Sequence, residues 1–143
     1  MKADSKTRTE IIDTLNIMTE TYAKRDIDGL LALWASDLDI VSIGSGVDEK
    51  TVGLDEFKMH ILRDWEQSEA TSIELNRFSI SAAGSVAWSA SDATFHAKIH
   101  GEDMNLIGRL TCVLEKRRGK WFFMQMHFSM PYNGQVEGES WPN

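Results

Sequence analysis

Apolar residues recur at helical spacing in the first half of the chain and at strand spacing in the second. Ile11, Ile12, Leu15, Met18 and Tyr22 make one stripe and predict an amphipathic helix over residues 8–24. "RDIDGLLALW" predicts a second helix, with Asp26 as N-cap and Leu30, Leu31 and Trp34 inside. "DLDIVSIG" reads as a strand that ends in a Gly/Ser turn. In "GLDEFKMHILRDWEQS", Leu54, Phe57, Ile61 and Trp65 define the stripe of a third helix. Everything after that is strand. Apolar parity shifts between Leu75 and Phe78, which predicts a bulge and hence a bent sheet. "VAWSASDATFHAKI", "MNLIGRLTCVLEK" and "KWFFMQMHFSM" follow, joined by the turns "HGED" and "RRG".

Helices first and a long antiparallel sheet afterwards predict an α+β fold, with the helices over one sheet face. A bent sheet cannot close flush on straight helices, so a cleft between the two layers is expected. The last strand carries two tracks. Phe122, Met124, Met126, Phe128 and Met130 fall on one face by strict alternation, and Trp121, Phe123, Gln125, His127 and Ser129 on the other. No repeat or linker divides the 143 residues, so one domain is expected, with its core over 8–131 and a polar tail over 132–143.

Composition narrows the function classes. A net charge of −7 disfavours nucleic acid and anionic membrane surfaces, both of which call for a basic footprint. Cys112 is the single cysteine, which excludes an internal disulfide and suits a reducing compartment. The first residues, "MKADSKTRTE", have no apolar segment behind their charges. A cytoplasmic protein is the expectation.

The order "RDIDGLLALWASDLDIV", "VGLDEF", "VAW", "GRLT" and "GKWFFMQMHFSMP" resembles the nuclear transport factor 2-like superfamily, and within it the SnoaL-like, ketosteroid-isomerase-related branch. The resemblance implies a cone-shaped, cystatin-like sheet with the N-terminal helices on its concave face. It fixes no single activity, because members include isomerases, cyclases, dehydratases, assembly domains and binders. Ketosteroid isomerases use a tyrosine on the first helix, an aspartate base on the first strand and a protonated aspartic acid on a later strand. Matched through "DIDGLLALWASD", Met18 and Ser42 stand at the first two positions, and "IGRLTCVL" has no carboxylate for the third. That triad is empty, and a serine without a base beside it cannot take a proton from carbon. "VGLDEFKMHILRDW" and "GKWFFMQMHFSMP" are also similar to the association domain of calcium/calmodulin-dependent protein kinase. The arginines that line that family's pocket match Ala90, Cys112 and Phe128 here, none of them basic.

This match implies a largely apolar ligand pocket of Met18, Tyr22, Trp34, Ser42, Phe57, Ile61, Trp88, Ala90, Asp92, Cys112, Met126 and Phe128. The other sheet face would then be a homodimer interface with Arg109, Thr111, Trp121, Phe123, Gln125, His127 and Ser129, beside the small residues Ala87, Ser89, Ser91, Ala93 and Ala97. Asp92, placed in an apolar cavity, is the best catalytic candidate. His127 and Ser129 share a face but lack an orienting acid, which favours structural hydrogen bonding. His96 and His100 share strand parity and could bind metal with a third ligand, but lone histidine pairs of this spacing are common, and Cys112 reads as an inert thiol. No metal and no cofactor are expected. Three functions fit: binding of a small hydrophobic or aromatic molecule, an isomerase, cyclase or dehydratase using Asp92 with His96 or Ser42, and a non-catalytic assembly module.

Overall fold

The computed structural model describes residues 1–142. Three helices, α1 (Ser5–Ala23), α2 (Ile27–Leu31) and α3 (Leu54–Glu66), lie on one side of a six-stranded sheet. The strands are β1 (Val41–Ile43), β2 (Lys50–Val52), β3 (Ala70–Ala83), β4 (Val86–Ile99), β5 (Glu102–Arg117) and β6 (Lys120–Ser129). Their spatial order is β2-β1-β6-β5-β4-β3, antiparallel except where β1 runs parallel to β6. The short β1–β2 hairpin thus extends the long sheet rather than standing apart from it. Among the described residues no helix is long and apolar enough to cross a membrane.

Local chemistry sets the helix ends. Asp4 caps α1 by accepting from the Thr7 amide at 2.7 Å, and Asp26 caps α2 by accepting from the Gly29 amide at 3.0 Å. Arg25 follows α1 at φ 57 and reaches across to the end of α3. Its guanidinium donates to the Trp65 carbonyl at 2.6 Å and the Ser68 carbonyl at 2.9 Å, satisfying acceptors that a helix C-terminus leaves free. This clamp fixes the spacing of α1 and α3, between which the site lies.

The β4–β5 and β5–β6 hairpins turn at His100–Gly101 and Arg118–Gly119, all four with positive φ, the geometry that matches the twist of paired strands. The expected bulge is present: Asn76 pairs with Asp92 and Ser79 with Ala90, leaving one extra residue on β3. A second bulge escapes the alternation pattern. Leu114 pairs with Phe123 and Val113 with Gln125, so Met124 is the extra residue on β6. Side-chain parity flips there.

That flip corrects the face assignment of the last strand. Trp121 and Phe123 are buried on the helix side together with Met126 and Phe128, so neither aromatic belongs to an outer interface. Met124 leaves the cavity face. On β4 the correction runs the other way. Residues directly opposite on paired strands share a face, and Cys112 pairs with Ser89, Leu110 with Ser91 and Gly108 with Ala93. Ala87, Ser89, Ser91 and Ala93 are therefore buried under the helices, while Trp88, Ala90 and Asp92 point outward. The core joins these small residues to Ile11, Leu15, Leu30, Leu110 and Leu114. Small side chains on the concave face make room for the helices.

Candidate functional site

The space left between α1, α3 and the concave sheet is a cavity of about 510 Å³. Its walls are apolar: Met18 from α1, Leu30 from α2, Phe57 and Ile61 from α3, and Ile73, Phe95, Leu106, Leu110, Met126 and Phe128 from the sheet. Phe95 and Phe128 rings stand 4.6 Å apart, and Phe95 meets Tyr22 edge-on at 6.0 Å. Phe128 takes its position because residue 108 is glycine. A Cβ there would lie 2.9 Å from two Phe128 ring carbons and would collide with the Ser129 carbonyl.

One end of the cavity is polar, and its groups come from three separate segments. Tyr22 closes α1, Glu49 ends the β1–β2 turn, and His60 and Asp64 stand one helical turn apart on α3. The Tyr22 hydroxyl donates to Asp64 Oδ2 at 3.1 Å. His60 Nε2 lies 3.5 Å from Asp64 Oδ1 and 3.6 Å from Glu49 Oε1. Glu49 Oε2 accepts from the Gly46 amide at 2.9 Å, which orients the carboxylate. Arg63, on the outer side, grips Asp48 through both terminal nitrogens and lies 3.6 Å from Glu49. Burial raises the Asp64 carboxyl above the usual aspartate value, against the opposing pull of His60 and the Tyr22 hydrogen bond. Burial, reinforced by the Asp64 charge, raises the Tyr22 phenol in turn. No lysine or arginine lines the cavity among the described residues. A polar group of a ligand would meet donors and carboxylates here, and an anionic group would meet repulsion.

Of the residues expected in the pocket, Met18, Tyr22, Ser42, Phe57, Ile61, Met126 and Phe128 line this cavity. Trp34 does not; it is buried behind Phe57, with ring centroids 4.6 Å apart, and against Phe123. Cys112 is buried beside the cavity wall, and burial pushes its thiol up to about 12. Trp88, Ala90 and Asp92 are on the opposite sheet face. Asp92 is half-exposed and 3.5 Å from Arg77 Nε, a solvated ion pair rather than a buried base. The catalytic expectation for Asp92 therefore falls. His96 and His100 both border the cavity at its rim, but the His96 side chain turns to the outer side, with Nδ1 2.7 Å from Asn105 Oδ1 and Nε2 3.2 Å from Glu74 Oε2, so the two histidines make no pair. Ser129 Oγ accepts from Arg109 Nε at 3.3 Å and makes no bond to His127. Arg109, Thr111, Gln125, His127 and Ser129 do share the outer face.

The residues that the sequence pattern missed are Glu49, His60 and Asp64. A signal was present in "FKMHILRDW": His60 and Asp64 each precede a stripe residue, Ile61 and Trp65, by one position. That offset is about 100° of helix, enough to flank the buried face and reach a cavity beside it.

The profile of a SnoaL-like domain matches residues 11–133, most of the chain. The chain belongs to that SnoaL-like family. Among curated proteins none matches it by sequence. Solved structures share the fold of this SnoaL-like domain. A nuclear transport factor 2-like superfamily protein from Salmonella enterica serovar Typhimurium superposes with a TM-score of 0.83 at 19% identity, covering 96% of this chain and 99% of that one. A proposed scytalone dehydratase from Novosphingobium aromaticivorans gives 0.79 at 16% identity, covering 88% and 85%. A proposed calcium/calmodulin-dependent protein kinase II association domain from Xanthomonas campestris gives 0.75 at 19% identity, covering 92% and 90%. At such identities the likeness establishes an α+β, nuclear transport factor 2-like fold and leaves the chemistry to the site itself.

Proposed function

We propose that this SnoaL-like protein binds one small, uncharged, largely apolar molecule in its cavity and acts on it by proton transfer at the Tyr22–His60–Asp64 end, as in a dehydration or double-bond isomerisation. The observation that carries this reading is the convergence of a phenol, an imidazole and two carboxylates on one end of an otherwise apolar cavity. Four aromatic rings, Tyr22, Phe57, Phe95 and Phe128, favour an aromatic or alicyclic ring as the apolar part. A hydroxyl or carbonyl oxygen would then lie among the polar groups. In a dehydration, a proton leaves the carbon beside the carbonyl, the electron pair forms the new double bond, and the hydroxyl departs with a proton as water. Such a site must both accept and donate a proton, and this cluster holds groups of each kind. The likeness to a proposed dehydratase agrees with the reaction class and adds nothing about the substrate.

The test is incubation with a panel of aromatic and alicyclic β-hydroxy ketones, followed by mass spectrometry for the loss of one water. Tyr22→Phe and His60→Gln are each expected to lower turnover by about 10²–10⁴-fold, the usual worth of acid–base assistance. Turnover unchanged in both variants would remove the reaction from this end of the cavity. Compounds that bind without any change of mass would make the protein a carrier.

We further propose that the outer sheet face forms a twofold contact between two copies. Trp88 and Val113 are half-buried there and Ile107 is 67% exposed, among Arg109, Thr111, Gln125 and His127, a mixed surface of the kind that pairs with itself.

A further inference from the structure

Glu49, His60 and Asp64 share a geometry that hydrogen bonding alone does not explain. Each carboxylate has one oxygen tied: Glu49 Oε2 by the Gly46 amide and Asp64 Oδ2 by the Tyr22 hydroxyl. The other oxygen of each faces the same atom, His60 Nε2, at 3.6 and 3.5 Å. Both separations exceed a good N–H···O bond. Among the described residues the imidazole makes no hydrogen bond through either nitrogen, Nδ1 being buried without a partner, although the side chain is only 12% exposed. Nε2, turned toward both carboxylates without a hydrogen bond to either, is the nitrogen left to engage a ligand.

The two lengths fit another arrangement. Around a tetrahedral ion with ligand bonds of about 2.0–2.2 Å, neighbouring ligand atoms stand about 3.3–3.6 Å apart. One atom from each of the three residues lies within 4.8 Å of the other two, so a small movement of the Glu49 turn completes the set. The tied oxygens supply the outer support that orients metal-bound carboxylates. Arg63 Nη2 also stands 3.6 Å from Glu49 Oε1, but both of its hydrogen bonds go to Asp48, which leaves Glu49 and Asp64 as two carboxylates for one dication.

We propose that Glu49, His60 and Asp64 hold a divalent metal ion, with the fourth coordination position open to the cavity. One imidazole and two carboxylates in tetrahedral spacing suit Zn²⁺, whereas Mg²⁺ demands an octahedral, oxygen-rich shell. This inference deepens the proposed function and rests on it for location: the ion would sit where a ligand's oxygen enters and would polarise it. With the ion bound, His60 and Asp64 would be ligands rather than proton carriers, and Tyr22, which is not a ligand, would share the proton transfers with a water at the open position.

The test uses the chelator-stripped full chain, titrated with Zn²⁺ and Mg²⁺ by calorimetry and with Co²⁺ by visible absorption. The expected result is one equivalent of Zn²⁺, an intense tetrahedral Co²⁺ spectrum and far weaker Mg²⁺ binding. Glu49→Gln, in an exposed turn that leaves the core intact, and His60→Gln should each weaken Zn²⁺ binding by at least about 10-fold. His96→Ala, on the outer face, should leave it unchanged. No saturable binding, as expected if His60 simply fills the space between two carboxylates, overturns the proposal. So does binding that survives both cavity variants and disappears with His96→Ala. Binding of the ketone panel to stripped protein is scored separately, so loss of the ion site and loss of the organic ligand are distinguishable.

Discussion

Glu10 illustrates how much one side chain decides. Its Oε2 accepts from the Trp121 indole at 2.7 Å and from Lys116 Nζ at 3.0 Å, tying α1 to the sheet at the end away from the polar cluster. Those two bonds, Trp121 first, hold the Glu10 carboxyl below the usual glutamate value. A carboxylate whose folded value is depressed contributes stability above its unfolded value and loses it as pH falls through the folded one. Glu10→Gln should therefore melt lower than wild type at pH 7, and the gap should close as pH drops below about 4. A gap that is constant with pH would remove the charge from the explanation. Cys112 gives a second residue-scale prediction. With its thiol pushed up to about 12, it should resist a thiol-reactive reagent at pH 8 in the native protein and react once denaturant unfolds the chain. Rapid labelling without unfolding would show that the wall around it is open.

At the scale of elements, the bulge at Met124 is the decisive feature. It puts Trp121 and Phe123 in the core while leaving Gln125 and His127 outside. Trp121→Ala should cost about 3–5 kcal/mol in denaturant unfolding, whereas Gln125→Ala should stay within about 0.5 kcal/mol. Equal, small effects would restore strict alternation along β6. Gly108→Ala tests the close approach of β5 to β6: overpacking against Phe128 and the Ser129 carbonyl should destabilise by about 1–3 kcal/mol. The β3 bulge was legible because apolar residues change parity across it, Leu75 to Phe78. The β6 bulge was not, because aromatic and methionine residues fill both tracks there and any register looks apolar. The β4 face was misread for a related reason: Ala, Ser and Trp do not announce which side is buried. Pairing does, and pairing is not written in one strand. The stripes of α1 and α3, Asp26 as N-cap and the hairpin turns were readable, since each depends on neighbours a few residues away; α2 ends at Leu31, so Trp34, expected inside it, lies beyond it and bridges to Phe123 instead.

For the whole molecule, the sequence carried the α+β layering and the presence of a cleft. It did not carry the cleft's chemistry. Glu49 meets His60 and Asp64 because the β1–β2 turn folds over α3, where Asp48 binds Arg63, and Tyr22 joins them because the Arg25 clamp sets α1 against α3, contacts between segments far apart in the chain. The proposed twofold contact also belongs to this scale. Thr111→Glu, at its centre, should shift sedimentation from dimer to monomer without lowering the melting temperature of the fold, and a wild type already monomeric at micromolar concentration would contradict the contact. The cavity itself can be read through the seven methionines. Met18, Met104 and Met126 line it, whereas Met59 is exposed on α3 and Met124 and Met130 lie off it. In a ¹³C-methyl methionine spectrum titrated with an aromatic β-hydroxy ketone, saturable shifts are expected at Met18, Met104 and Met126, with Met59 and Met124 unmoved. Shifts confined to Met59, Met124 or Met130, or none at all across the panel, would contradict binding in this cavity.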